Sequence, residues 1–350
     1  MSERGNKISG SGMAAYSACP GRFNLESQMP AGESSPAADM GTRIHEYIAT
    51  GKGNLKDNEL EIAELCVAYH KEAIDTINAG DVTSVTKEER YWFCDLYSGQ
   101  IDRIDHIGED IAIVTDYKTG RIAQSNANEN LQLRAYAVLV KENFPKLKKI
   151  YACIVQPMAG PVTIAEYDED ALLEAKSQIY HIVTRAYSQN APRIPSPDAC
   201  KYCRAKSVCP EAGGKVRTLA KNSVESILAL TDDQLAEYND AADIAESVIE
   251  AIRSETRKRL NNGAEIRGWE LKTGRSNRTI ENADEAYTKL ADILGAPQFA
   301  QCCKVSVSQL EKAIVTTLKL KAKEGKDKLA ELLGDVLATK QSEPVMSRKK

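Results

Sequence analysis

The chain has 350 residues, of which 42% are hydrophobic and 27% are charged, with a formal net charge of −4 and a pI of about 5.8. This composition is typical of a soluble globular protein with a sizeable core and more than one domain. The acidic balance excludes a basic protein that coats nucleic acid, and no apolar run reaches the roughly 18 residues of a membrane span.

The chain begins with a polar segment. Residues 1–12 are rich in Gly and Ser, so we predict that they are disordered. They lack the apolar stretch of a secretory signal, which predicts a cytoplasmic location with no membrane contact.

Helical and strand periodicities then alternate in a defined order. Apolar residues at helical spacing predict a helix that starts near Asp39 and carries Ile44, His45 and Ile48, and further helices over residues 58–79, 129–143 and 168–189. Alternating residues predict strands over residues 86–93, 95–105, 110–118, 149–155 and 161–167. Two helices, three strands, a helix and further strands predict an α/β fold with a mixed central sheet flanked by helices.

The last third of the chain has a different pattern. Three prolines in residues 190–198 exclude regular structure there. Beyond residue 212 the pattern is mainly helical, and a capping box at Thr231 predicts the start of a long amphipathic helix. We therefore predict a helical region over residues 213–340 and a flexible tail over 341–350.

Three charged side chains fall on neighbouring predicted strands. Asp116 and Lys118 are two residues apart in VTDYKTG, so they share one face of a strand, whereas Tyr117 points into the core. A hairpin brings Asp102 of GQIDRID alongside Asp116. Asp105, three residues further on, faces the opposite side of a regular strand, so only one of the two is expected beside Asp116. Asp102 is preferred because its stretch, GQID, carries the motif resemblance described below. Two carboxylates and a lysine suit Mg²⁺-dependent phosphodiester cleavage, although an Asp-x-Lys pair alone is also found on solvated strand edges.

Three further side chains are candidates for the same site. His45 follows Gly41 by four residues on a predicted helix, and its imidazole is suited to ligate a metal or contact a phosphate; a surface or core histidine is the alternative. Gln132 and Tyr136 are four residues apart and share a helix face. They are predicted either to contact DNA or to support Lys118, with helix surface and core packing as the alternative.

Four of the nine cysteines have a spacing that predicts metal binding. Cys200, Cys203 and Cys209 form a tight knuckle, and Cys19 lies far upstream. Disulfides are not expected in a reducing compartment. The spacing permits a Cys₄ zinc site as well as an iron–sulfur cluster. The other five are predicted to be small buried hydrophobic residues: Cys66, Cys94, Cys153, Cys302 and Cys303.

In their chain order, GTRIH, GQID, DYK and QLRAY resemble the motifs of RecB-type nucleases of the PD-(D/E)XK superfamily. The resemblance covers residues 13–212 and is closest to the AddB-like and CRISPR-associated branches that carry an iron–sulfur cluster. It extends to phage- and prophage-encoded members with an added C-terminal helical region. It implies a restriction-endonuclease-like core.

The resemblance also implies roles for individual residues. His45, Asp102, Asp116 and the backbone carbonyl of Tyr117 would bind Mg²⁺ or Mn²⁺. Lys118 would be catalytic. Gln132 and Tyr136 would line the DNA side, and the four cysteines Cys19, Cys200, Cys203 and Cys209 would hold a [4Fe–4S] cluster.

These observations predict a metal-dependent deoxyribonuclease, more specifically an exonuclease acting on DNA with a free end in recombination, repair or replication. No phosphate-binding loop of a helicase occurs in the sequence. Any unwinding would come from a partner, and a single-strand-binding or annealing protein is another expected partner. The alternative is a DNA-end-binding scaffold that retains the nuclease fold and the metal cluster but does not cut.

Overall fold

The computed structural model describes residues 5, 7–30, 32, 34–220, 229–271, 283–291, 293, 295–303, 306–318 and 322–334. The chain divides into two compact units, Met1–Leu271 and Lys272–Lys350. None of the described helices is long and apolar enough to cross a bilayer.

A mixed six-stranded sheet forms the centre of the described part of the first unit. Its strands are β1 (Ile8–Ser9), β2 (Ser84–Phe93), β3 (Tyr97–Ile107), β4 (Ile111–Tyr117), β5 (Lys149–Val155) and β6 (Thr163–Tyr167). Strand β3 pairs antiparallel with β2 and β4, and its first residues pair with β1 in parallel. Strand β4 pairs in parallel with β5, which pairs antiparallel with β6.

Helices cover both faces of this sheet. The described helices of the first unit are α1 (Met13–Ala18), α2 (Arg22–Glu26), α3 (Pro36–Thr50), α4 (Asp57–Ile77), α5 (Leu131–Asn143), α6 (Glu169–Tyr187), α7 (Pro197–Lys201), α8 (Pro210–Ala220) and α9 (Asp232–Asn261), of which the last three pack on one another at the cysteine knuckle. A parallel strand pair needs a crossover, which α5 supplies between β4 and β5. The arrangement confirms the predicted α/β class with a mixed sheet between helices.

Alternate residues of β4 reach two separate hydrophobic cores. Ala112 and Val114 pack in the larger core with α5 and α6, whereas Ile113 and Tyr117 pack on the opposite face beneath α3 and α4. A strand that is buried on both faces reads as a nearly continuous apolar run, as residues 111–114 do. The end of β4 therefore lies between two helical layers.

The alternation of β3 is interrupted once. Ile101 and Ile104 are three residues apart, yet both pack in the larger core. Between them the pairing of β2 with β3 omits one position, because the recorded pairs pass from Lys87–Arg103 to Glu89–Ile101. Such a local irregularity re-aims side chains, and it occurs at Asp102.

The predicted disorder of residues 1–12 is wrong for its described part, residues 5 and 7–12. Ile8 is completely buried in the larger core, and it pairs with Tyr97 at the start of β3. Its amide donates to the Tyr187 hydroxyl at 3.2 Å. A strand of two residues in a polar segment is too short to show a periodicity in the sequence. It is recognised only in the folded structure, from its buried position beside β3.

The second difference concerns the end of the first unit. Sequence character changes after residue 212, whereas the compact unit continues to Leu271. The reason is that α9 packs on the cysteine knuckle: Ile244 is 1% exposed and forms a small core with Cys200 and Ala212. The capping box predicted at Thr231 is present, with Gln234 as its second member.

The described part of Lys272–Lys350 is mainly helical. Its helices are α10 (Ala283–Leu290), α11 (Ala296–Cys302), α12 (Val307–Leu318) and α13 (Ala322–Leu333). The predicted flexible tail, residues 341–350, lies outside the described residues.

The prediction that five cysteines are buried holds only for two. Cys66 and Cys153 are fully buried in the cores around α4, but Cys94, Cys302 and Cys303 are exposed. Cys94 lies in the turn between β2 and β3 with a φ of 48°. The turn therefore determines its exposure, and the hydrophobicity of its side chain does not.

Gly99 allows the closest approach of β3 to α5. A Cβ at Gly99 would lie 2.6 Å from Cε1 of Tyr136 and 2.8 Å from Cδ1 of Leu139. Overpacking of this kind costs about 1–3 kcal/mol. We therefore expect Gly99→Ala to lower the free energy of unfolding by about that amount, measured by chemical denaturation. Gly160→Ala is the control, because a Cβ there meets nothing within 4 Å. Equal stability of the two variants would contradict this packing.

Candidate metal centre

The adjacent strands β3 and β4 bring two carboxylates together. The last recorded pair of this ladder is Arg103 with Thr115, so Asp102 and Asp116 follow opposite one another. The backbone N–H of Tyr117 donates to Oδ2 of Asp102 at 2.7 Å. Both carboxylates are held in place with little solvent around them, since their side chains are 11% and 4% exposed.

Helix α3 supplies the imidazole of His45. Ser35 caps this helix by accepting from the Ala38 amide, and Pro36 occupies its first turn, which fixes where the helix begins. His45 Nδ1 then lies 3.3 Å from Oδ1 of Asp102 and 3.6 Å from Oε1 of Glu88. Burial opposes charging the ring, but hydrogen bonds to these two carboxylates outweigh it and raise the pKa of His45 to about 10.

Asp116 and Lys118 form a buried pair that an amide bridges. Lys118 Nζ lies 2.8 Å from Oδ2 of Asp116 and donates to Oε1 of Gln132 at 3.1 Å. Gln132 Nε2 donates to Oδ1 of Asp116 at 2.8 Å. Burial raises the pKa of Asp116, an effect that Lys118 opposes. Burial disfavours the charge on Lys118, but the Asp116 carboxylate outweighs it and raises the lysine pKa, so the ammonium stays protonated at neutral pH.

Tyr136 supports this network from inside the protein. Its hydroxyl accepts from Nε2 of Gln132 at 2.9 Å, and the residue is only 4% exposed. Helix α5 places both side chains because its first turn is fixed by Asn130, whose side chain accepts from the amides of Gln132 and Leu133. Of the two roles predicted for Gln132 and Tyr136, this placement fits support of Lys118.

Asp105 contacts His70 of α4, so it lies on the α3–α4 side of the sheet rather than on the side opposite His45 that regular alternation predicted. It is completely buried, and its carboxylate accepts from Arg103 Nε at 2.9 Å and lies 3.2 Å from Nε2 of His70. These two partners occupy Asp105, away from His45 and Lys118.

Two residues of this centre had no signal in the sequence analysis. Glu88, on β2, belongs with His45 and Asp102 to a group whose ligand atoms all lie within 4.8 Å of one another. Gln156 follows β5 and is 5% exposed. Its Nε2 donates to the carbonyls of Gly120 and Ile122, and its Oε1 accepts from the Gln124 amide, which fixes the loop after Lys118. Neither lies in a recognisable motif, because each acts through residues distant in sequence.

A cleft of about 910 Å³ opens onto this centre. Its walls are the side of α3 that carries His45, the Glu88–Gln100 side of the sheet, and the loop that follows Lys118. Arg121, which is exposed, projects from that loop beside Lys118. The cleft is therefore lined both by the carboxylates of Glu46 and Glu88 and by the cationic groups of Lys118 and Arg121. The cationic groups suit an anionic substrate.

The donor chemistry fits a hard divalent cation. Mg²⁺ and Mn²⁺ take carboxylate oxygens, with imidazole as an acceptable addition. His45, Asp102 and Glu88 offer such atoms around one point. Asp116 lies outside this group of three, and its oxygens bond Lys118 and Gln132. Tyr117, whose carbonyl is the fourth predicted ligand, lines the cleft between them.

Of the four cysteines of the predicted cluster, Cys200 lies near Cys19, Cys209 and Cys203 in the first unit. No three of these four sulfur atoms, all in the described part of the chain, lie within 4.8 Å of one another. Cys19, Cys200 and Cys203 are buried, and Cys209 is half-buried. Burial raises the pKa of Cys200, and the proximity of Cys209 and Cys19 raises it further. Burial likewise raises the pKa of Cys203 to about 11. Thiolates at these buried positions would need a nearby cation to balance their charge.

Helix α2 holds the N-terminal cysteine segment against the knuckle. The Arg22 guanidinium donates to the carbonyls of Ala199 and Tyr202 at 3.2 and 2.7 Å. Glu26, itself 7% exposed, accepts from the Arg204 amide at 2.8 Å. These contacts join residues about 180 positions apart without any cysteine ligand.

The pKa of His45 predicts how the stability of the metal-free protein depends on pH. Because the folded-state pKa is raised from 6.5 to about 10, the charged ring stabilises the fold fully below pH 6.5 and loses this effect as the pH rises through 10. In a chelator, wild type should therefore lose stability relative to His45→Gln between pH 6.5 and 10, measured by thermal unfolding. A pH-independent difference would contradict the pairing with Asp102 and Glu88.

Solved structures with some likeness to the chain include nucleases. The crystal structure of SSO0001 is 17% identical, with a TM-score of 0.29 over 59% of this chain and 86% of that one. The alkaline exonuclease LHK-Exo from Laribacter hongkongensis is 13% identical, with a TM-score of 0.26 over 52% and 89%. Its complex with dAMP is 9% identical, with the same TM-score and coverage. These TM-scores are below 0.5, so the likenesses carry no weight for function.

No curated protein has a significant sequence match to this chain. One family model does match, over residues 54–350, which includes strands β2 to β6, α5 and the cysteine knuckle. The chain therefore belongs to the family described as "Protein of unknown function (DUF2800)".

Proposed function

We propose that this protein is a divalent-metal-dependent DNA nuclease of the PD-(D/E)XK type. The observation that carries the proposal is the buried charge network at the ends of β3 and β4. There Asp102 and Asp116 lie side by side, with Lys118 held 2.8 Å from Asp116. A structural ion pair has no need of a second buried carboxylate, an imidazole and an open cleft beside it. Hydrolysis of a phosphodiester needs this combination of groups.

In the proposed reaction, His45, Asp102, Asp116 and the Tyr117 carbonyl would hold Mg²⁺ or Mn²⁺. The ion would supply Lewis-acid stabilisation of charge on the phosphate. Lys118 donates from its ammonium to a phosphate oxygen or to the attacking water, and its raised pKa keeps it charged. Gln132 holds the side chains of Lys118 and Asp116 in position relative to each other, because its amide group forms a hydrogen bond with each of them.

The substrate class follows from the cleft. A groove lined by Glu88, Lys118 and Arg121 beside the proposed metal site suits a phosphate backbone. We propose DNA with a free end and exonuclease action, in recombination, repair or replication, with a phage or prophage setting. A helicase or a single-strand-binding or annealing protein is the proposed partner, and the expected cytoplasmic location remains a prediction.

We further propose that Cys19, Cys200, Cys203 and Cys209 hold a [4Fe–4S] cluster, with zinc as the alternative. Support comes from the proximity of Cys200 to Cys19, Cys209 and Cys203, where α2 contacts the knuckle. Such a cluster would close a loop of about 180 residues and so stabilise the proposed nuclease core, residues 13–212.

Loss of the central charges should abolish cleavage but not DNA binding. We expect Asp116→Ala and Lys118→Met to lower Mn²⁺-dependent degradation of end-labelled linear DNA by at least about 100-fold, since each removes a group that stabilises the transition state. Lys146→Met is the control, because Lys146 is exposed and pairs only with Glu109 at 2.7 Å. Circular DNA in parallel reactions tests the exonuclease assignment.

The alternative, a non-cleaving DNA-end-binding scaffold, makes the opposite forecast. Wild type would then bind linear DNA without degrading it, and the three variants would behave alike. That result would overturn the nuclease proposal while leaving the fold unaffected.

The cluster has its own test. Anaerobically purified protein should be brown, with a broad absorption band near about 400 nm. Cys203→Ser should lose this band and lower the thermal midpoint, whereas Cys94→Ser should keep it, because Cys94 is exposed and outside the knuckle. A colourless protein that contains zinc in equal amounts would establish the zinc alternative.

A further inference from the structure

Strand β2 carries an acidic side chain in an unusual backbone position. Glu88 has a φ of 50°, in the left-handed region that glutamate rarely adopts. It is the one position that the pairing between β2 and β3 omits, and by the flanking pairs it lies opposite Asp102. Directly opposed residues in an antiparallel pair have their Cβ atoms about 4.5–5.5 Å apart. The irregular backbone therefore presents Glu88 beside the first carboxylate of the centre.

The donor atoms have the spacing of ligands around one ion. Oε1 of Glu88 lies 3.6 Å from Nδ1 of His45, which lies 3.3 Å from Oδ1 of Asp102. All three ligand atoms lie within 4.8 Å of one another. Donors that bind one ion at 2.0–2.2 Å are at most about 4.4 Å apart, so a small movement suffices to bring all three onto a cation.

The other oxygen of Glu88 is already fixed. Nε2 of Gln100 donates to Oε2 of Glu88 at 2.8 Å, and the side-chain Oε1 of Gln100 accepts from the Arg90 guanidinium at 3.3 Å. Both Glu88 and Gln100 line the cleft. The chain thus holds one carboxylate oxygen by a side-chain amide and turns the other toward His45, the arrangement found around metal-bound carboxylates.

We propose that Glu88 is a direct protein ligand of the divalent cation, together with His45 and Asp102. This inference rests on the proposed function for the existence of the metal site and adds a ligand from β2, a strand that none of the sequence motifs includes. Gln100 is its positioning residue. The strained backbone at Glu88 places the carboxylate where a regular strand would not.

The test is Mn²⁺ binding in the absence of DNA, measured on the full chain by calorimetry and by electron paramagnetic resonance of the free ion. Glu88→Gln should weaken Mn²⁺ binding by at least about 10-fold, the lower limit for loss of a supporting group around a metal. Glu46→Gln is the matched control: Glu46 lines the same cleft but is outside the group of three donors. Each variant removes one negative charge from the cleft. A loss of Mn²⁺ affinity in Glu88→Gln alone therefore indicates ligation by Glu88 and not a general effect of charge.

Glu88→Gly gives a second, independent measurement. Glycine adopts a φ of 50° without steric cost, so in the metal-free protein Glu88→Gly should have a higher thermal midpoint than Glu88→Ala, which loses the same side-chain contacts, while both lose Mn²⁺ affinity as Glu88→Gln does. A loss of affinity in the more stable of these two variants cannot result from misfolding.

The inference is overturned if Glu88→Gln binds Mn²⁺ as tightly as wild type, or if Glu46→Gln loses as much affinity. The proposed function fails separately: a wild-type protein that binds Mn²⁺ through Glu88 but never cleaves DNA refutes the nuclease and keeps the ligand. Cleavage of DNA with unchanged Mn²⁺ affinity in Glu88→Gln does the reverse.

Discussion

The hydrogen bond from the Tyr117 amide to Asp102 is the constraint on which the centre depends. The regular ladder between β3 and β4 ends at Arg103 and Thr115, just before the two carboxylates face each other. Like charges in a poorly solvated site repel strongly and would separate the strand ends. The 2.7 Å bond fixes Asp102 to the backbone of β4 at the residue after Asp116, so the two acids stay together.

The side chains that hold these two acids and Lys118 in place come from different layers of the fold. His45 belongs to α3 on one side of the sheet, whereas Gln132, which holds Lys118, belongs to α5 on the other. Because β4 is buried on both faces, its end is the place where side chains from both layers meet. The geometry of the centre therefore depends on the packing of both helical layers. A shift of α3 would break the contact of His45 with Asp102, and a shift of α5 would break the contact of Gln132 with Lys118.

The contacts around the cysteine knuckle join two segments of the first unit that are distant in sequence. Arg22 and Glu26 of the short helix α2 already bond the knuckle backbone, and Ile244 of α9 covers it. A bound metal would therefore reinforce an existing contact rather than create it. Loop closure over about 180 residues has a large entropic cost in the unfolded chain, which explains why several independent interactions share this junction.

Strand and helix periods, which are local, were enough to predict the order of the strands and helices, the α/β class and the common face of Asp116 and Lys118. The i, i+4 spacing alone placed Gln132 with Tyr136. The sequence could not reveal the β1 strand or the position of Glu88, since both depend on register against β3. Register is a tertiary property: it is set by which distant strand fills a buried slot, and only the folded structure decides it.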